Sequence, residues 1–112
     1  MTGLFEERER GYEAKWAHDE ETHFKITARR NELLGRWAAG ELGLSAAAAE
    51  DYVQAVIKAG LAAKHGGDAV FEKIRGDFVA HDIPHAGHVL HGKMEECFTT
   101  ASRESIKRDR AL

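Results

Sequence analysis

Asp19-Glu20-Glu21-Thr22-His23-Phe24-Lys25-Ile26-Thr27-Ala28-Arg29-Arg30-Asn31-Glu32-Leu33-Leu34-Gly35-Arg36-Trp37-Ala38-Ala39 is the stretch that decides the fold. At ~100° per residue, Phe24, Ala28, Asn31, Gly35 and Ala38 share one face of a helix, and Ile26, Leu33 and Trp37 share another. The acidic triplet at its start suits the positive end of a helix dipole. Two apolar faces require more than one neighbour, so residues 19–39 are expected to form the central helix of an all-α protein.

Three further helices follow outward from it. The second starts after Ser45, a good N-cap, and carries Ala49, Tyr52, Val53, Val56, Gly60 and Ala63 on one side. The third is expected after Gly66-Gly67 with Asp68 as its N-cap, and gathers Val70, Phe71, Ile74 and Phe78. The fourth follows Asp82-Ile83-Pro84, where proline suits a first turn. Its stripe is Ala86, Leu90, Met94, Cys97, Phe98, Ala101 and Ser105. Short connections at 40–45, 65–68 and 82–84 predict a compact antiparallel four-helix bundle over residues 19–107, with 108–112 a frayed tail. Strict alternation is absent, and no repeat of solenoid period is present.

The 112 residues suffice for one domain. A composition 43% apolar and 31% charged is that of a soluble protein. The net charge of −3 argues against a nucleic-acid binder, whose phosphate contacts need a basic surface. Cys97 is the sole cysteine, so no internal disulfide forms. The acidic start Met1-Thr2-Gly3-Leu4-Phe5-Glu6-Glu7 is unlike a signal peptide. The longest uncharged run, 42–49, is far short of the ~20 residues that span a bilayer. A cytoplasmic protein without membrane insertion, monomeric when free, is expected.

Residues 1–18 differ from the rest: charges are dense, and Gly11 costs a helix ~1 kcal/mol. Yet Phe5, Tyr12 and Trp16 fall within about 40° of one another on a helical projection. Glu6 and Arg10 stand in the favourable i, i+4 order. The segment is therefore expected to be flexible alone and helical against a surface. Its aromatic stripe has two readings: it folds back to complete the bundle's core, or it anchors in the groove of a partner.

Seven histidines are unusual, and four fall in His81-Asp-Ile-Pro-His85-Ala-Gly-His88-Val-Leu-His91. His85, His88 and His91 with Asp82 are conceivable zinc or nickel ligands. They fan over about 120° on the side away from Leu90, Met94 and Phe98, however, so a solvated face is expected and no metal. Cys97 sits on an apolar stripe, where a thiol is inert. No phosphate-binding glycine motif and no nucleophile with its base is present, so the chain is not expected to be an enzyme.

The combination Phe5, Arg8-Glu9, Tyr12-Glu13, Lys15-Trp16 and Asp19-Glu20-Glu21, followed by Phe24, Ala28-Arg29-Arg30-Asn31, Leu33-Leu34-Gly35 and Trp37-Ala38-Ala39, resembles the zeta subunit of the alphaproteobacterial rotary F-type ATP synthase, an ATPase-inhibitor family. The resemblance is strongest over residues 5–43 and looser to about Phe98. It implies a four-helix holder with a mobile N-terminal inhibitory segment. That segment becomes helical as it wedges into a catalytic α/β interface against the γ rotor, and it blocks rotation in the hydrolysis direction. Phe5, Arg8, Glu9, Tyr12, Glu13, Lys15 and Trp16 match the inhibitory pattern, with Asp19, Glu20 and Glu21 at the hinge. The implied partners are the α, β and γ subunits of the catalytic head, which would hold the protein peripheral to the inner membrane.

This sequence departs from the family at several places. Tyr12 and Trp16 replace phenylalanines, and Gly60, Ala62 and Ala63 stand where acidic residues are expected, so no ligand contact of relatives is carried over there. The histidine cluster lies outside the family pattern. No cofactor is required; relatives imply purine nucleotide binding, but no motif here marks a site for it. A helical module that senses a purine nucleotide or a metal is the alternative reading.

Overall fold

The computed structural model describes residues 20–84 and 87–111, with side chains as far as residue 108. The described residues form four α-helices: α1 (Glu20–Glu41), α2 (Ala46–Ala62), α3 (Gly66–Ala80) and α4 (Gly87–Ala111). Cross-helix pairs fix the directions. Arg36 meets Glu50 while Asn31 lies beside Gly60, so α1 and α2 are antiparallel. Tyr52 bonds Asp77 and Val70 packs at Gly60, which reverses α3 on α2. Arg29 bonds Glu104 while Lys93 lies over the Trp37 ring, so α4 runs back along α1.

As expected for a central helix, α1 packs on both α2 and α4 and also touches α3. The core draws Leu34 and Ala38 from α1, Val56 from α2, Val70, Ile74 and Phe78 from α3, and Leu90, Met94 and Cys97 from α4. Trp37 closes one end, edge-on to Phe78 with ring centroids 5.7 Å apart. The two apolar faces read from α1 are one broad arc. Leu34, assigned to neither, lies between them and is completely buried. Phe24, placed on the buried face by its spacing, is 55% exposed. The register explains this: with Asn31 level with Gly60, α2 ends before it reaches the first two turns of α1.

Helix ends follow local chemistry, not always at the expected residue. The first helix continues through Gly40 to Glu41 and is closed by a turn at Gly43, which takes the left-handed φ of 70°. Gly43 N–H donates to Gly40 O and Leu44 N–H to Ala39 O, both at 3.1 Å, so two orphan carbonyls are satisfied. The Ser45 side chain accepts from Ala48 N–H at the start of α2, as its type suggested. The third helix begins at Gly66, two residues before Asp68. Asp68 is a first-turn acid and not the N-cap, which is His65 and provides no side-chain bond. Close packing sets this start: a Cβ at Gly66 would collide with the Gly60 carbonyl oxygen. The exit of α3 repeats the glycine motif with Asp82 at φ 55°, Asp82 N–H reaching Val79 O and Ile83 N–H reaching Phe78 O. Pro84 stands in the connection before α4. The last helix carries on to Ala111, through most of the stretch expected as a tail.

Candidate functional site

The chain joins the bundle at Glu20, and the site residues read from the sequence precede it. Phe5, Arg8, Glu9, Tyr12, Glu13, Lys15, Trp16 and Asp19 lie outside the described residues, as do His85 and Ala86. What the structure builds is the platform to which they are attached.

That platform is the first three turns of α1 paired with the last turns of α4. Ile26 and Ala101 are buried between them. Arg29 Nε donates to Glu104 Oε2 at 2.8 Å and Arg29 Nη2 to Glu104 Oε1 at 3.3 Å, a forked pair that fixes one helix on the other. The bond to Arg29 holds the Glu104 carboxyl below the usual range, and Glu104 in turn raises the Arg29 guanidinium. Glu20 and Glu21 are exposed at the entrance, Glu21 pairing with Lys25 at 3.1 Å. Phe24 stands bare beside them.

One turn further along lies a feature that the sequence reading missed. An open groove of about 740 Å³ runs between α1, α3 and α4. Phe71, Met94 and Phe98 give it an apolar floor, Phe98 being half-buried there and not in the core. Arg30 enters it from α1, its Nε and Nη2 donating to Asn31 Oδ1 at 3.1 and 3.0 Å. Burial pushes the Arg30 guanidinium down, and among the described residues no carboxylate pairs with it. The signal was present in the sequence. On the helical projection Arg30 falls inside the apolar arc between Trp37 and Leu34, where a charge is out of place.

Elsewhere in the bundle, polar side chains tie helices together or lie at its surface. Tyr52 Oη donates to Asp77 Oδ2 at 2.7 Å and Lys73 Nζ to the same oxygen at 3.2 Å, a tie between α2 and α3. Burial and Asp77 push the Tyr52 phenol up, away from any role as a base. Burial likewise pushes up the Cys97 thiol, which is 6% exposed. His88 is exposed as expected; His91 is exposed but its ring lies 4.7 Å from that of Phe71 at the groove wall. Among the described residues, no three metal-ligating side chains converge, and no helix is long and apolar enough to cross a membrane.

Charged groups paired between helices, an exposed entrance and an open groove thus characterise this all-α four-helix protein. The chain belongs to the family of the ATPase inhibitor subunit zeta, whose model matches residues 1–104 and so takes in both the N-terminal stretch and the bundle. Comparison with curated proteins and with solved structures finds no match.

Proposed function

We propose that the protein inhibits ATP hydrolysis by the rotary F-type ATP synthase through its N-terminal segment, the bundle serving as holder. Residues 1–18 insert as a helix into a catalytic α/β interface and reach the γ rotor, with Phe5, Tyr12 and Trp16 as groove anchors. Arg8, Glu9, Glu13 and Lys15 set the register of that helix, and Asp19 stands at the hinge into the bundle. Rotation in the hydrolysis direction is blocked while synthesis continues. The protein thereby acts in the cytoplasm, peripheral to the inner membrane. The family match carries this reading, because it spans the aromatic and charged pattern of residues 5–19 as well as the helices. The platform supports it: α1 begins at Glu20, directly after that pattern, and is clamped to α4 by Arg29 and Glu104, so a load on the segment passes into two helices.

The test is ATPase activity of the cognate catalytic head with the full chain and with a chain lacking residues 1–18. The full chain should suppress hydrolysis. The shortened chain should keep its helical circular dichroism and melting temperature and lose suppression. A full chain without effect on hydrolysis removes the reading.

A further inference from the structure

We propose that the groove between α1, α3 and α4 docks the bundle on the catalytic head by receiving one of its amphipathic helices. That helix carries a carboxylate within its apolar stripe and basic residues on its flanks. The choice of the catalytic head rests on the function proposed above; the chemistry of the occupant rests on the groove. The ring of helices is open on one side: α1 packs on α2 and α4, and α2 on α3, whereas α3 and α4 scarcely meet. Phe71, Met94 and Phe98 make the floor of that gap apolar. Gly67 keeps it clear, since a Cβ there would touch Met94 Cε at 3.5 Å and lie 3.8 Å from the Arg30 guanidinium. Helical walls offer no unpaired backbone for a strand to join. An occupant must therefore satisfy its own amides and carbonyls, as a helix does.

Charge decides what that helix carries. Arg30 enters the groove half-buried, its Nε and Nη2 sharing the neutral Oδ1 of Asn31 at 3.1 and 3.0 Å. Among the described residues no carboxylate pairs with it. A charge drawn partly out of water, with no opposite charge beside it, calls for a carboxylate from the occupant. The rim has the reverse sign. Asp68, Glu72 and Glu95 line it and are exposed, and Glu72 meets Arg75 only at 3.8 Å. A base at the floor inside a border of acids complements apolar anchors at i, i+4 and i+7 with one acid among them and Lys or Arg alongside.

Chain continuity brings the catalytic head within reach. The first helix begins at Glu20, directly after the segment assigned to the α/β interface, and Arg30 stands about 15 Å further along it. A head that grips residues 1–18 therefore lies close to the groove. Docking there makes the chain bivalent: once the bundle is seated, insertion of the segment becomes an intramolecular event at a high effective concentration. The groove thus tightens inhibition without touching the catalytic interface.

The test uses the full chain and the cognate catalytic head. Thr99→Cys, at the exposed groove wall, and Gln54→Cys, exposed on α2, are each coupled to a photoreactive benzophenone, Cys97 being buried. On illumination the label at 99 should attach to a helix of a head subunit with an acid in its apolar stripe and bases on its flanks. The label at 54 should not attach to it. Arg30→Gln, which keeps a donor for Asn31, and Glu95→Lys should each raise the concentration for half-inhibition about tenfold at unchanged melting temperature. Glu95 is exposed, so its variant reports on docking even where Arg30→Gln disturbs folding. Equal potency of the wild type and both variants overturns the proposal, as does a crosslink to a strand, a loop or a second copy of the chain. Inorganic phosphate shifting the Arg30 Nε–H signal, with no crosslink from 99, assigns the groove to a free anion and also overturns it. Full inhibition without the crosslink removes the docking alone; the crosslink without suppression of hydrolysis removes the functional reading alone.

Discussion

Gly60 shows at the scale of one residue how a neighbour can outweigh helix propensity. Alanine in mid-helix gains about 1 kcal/mol over glycine. A Cβ at Gly60, however, would stand 2.5 Å from Asn31 Nδ2 and 3.2 Å from Val70 Cγ2, inside the core. Overpacking of that kind costs about 1–3 kcal/mol. Gly60→Ala should therefore lower the urea midpoint despite its better propensity, and a raised midpoint would show that Asn31 swings aside freely. Asp82 presents the opposite case. Its φ of 55° is one that an L-residue adopts at a cost and glycine does not. Asp82→Gly should stabilise by about 0.5–1 kcal/mol in the same measurement. At the proposed groove anchors, Tyr12→Ala and Trp16→Ala should each weaken inhibition by ~2 kcal/mol in an ATPase titration, while the melting temperature hardly moves. A drop of several degrees with unchanged potency would make them core residues and not anchors. Residue identities told unequal amounts. Ser45 announced its cap because the bond it makes is local, whereas Asp68 did not, because the start of α3 is set by the distant carbonyl of Gly60.

At the scale of elements, the clamp between α1 and α4 has a pH dependence with a definite sign. Arg29 keeps the Glu104 carboxyl below the ordinary range, so on acidification the folded chain takes up that proton later than the unfolded one. The stabilisation is complete above the unfolded value of ~4.3 and is lost as pH falls through the folded value. Both side chains are more than a third exposed, so the effect is below about 1 kcal/mol and fades in 1 M salt. Urea midpoints of the wild type should fall more steeply from pH 5 to pH 3 than those of Glu104→Gln; parallel curves would show that the clamp adds nothing to stability. Existence and order of the four helices were legible because their apolar stripes repeat with the helical period. Their meeting heights were not. That register decides that Phe24 is bare and that Arg30 lines a groove, and it comes from close approaches such as Gly35 to Val53, which no periodicity encodes.

The molecule as a whole was legible as an all-α bundle, and its candidate site only as a pattern, since residues 5–19 lie outside the described residues. Cys97 offers a test of how far the bundle acts as one unit. Its sulfur lies in a cluster supplied by all four helices, between Met94 and Ala101 on the inner side of α4. The reactive species is the thiolate, and burial both raises the thiol and blocks the reagent. Exposing it requires α4 to leave α1, the helix against which it packs most extensively. Labelling of the native chain should be slower than that of the urea-unfolded chain by on the order of 10³-fold, the opening equilibrium of a marginally stable domain. Its rate should rise with urea along a slope equal to that of global unfolding. A shallower slope would mean that α4 opens by itself along the groove, where its contact with α3 is sparse. Stoichiometric labelling within the dead time, without urea, would contradict the burial of Cys97 and with it the rotation of α4 on the core.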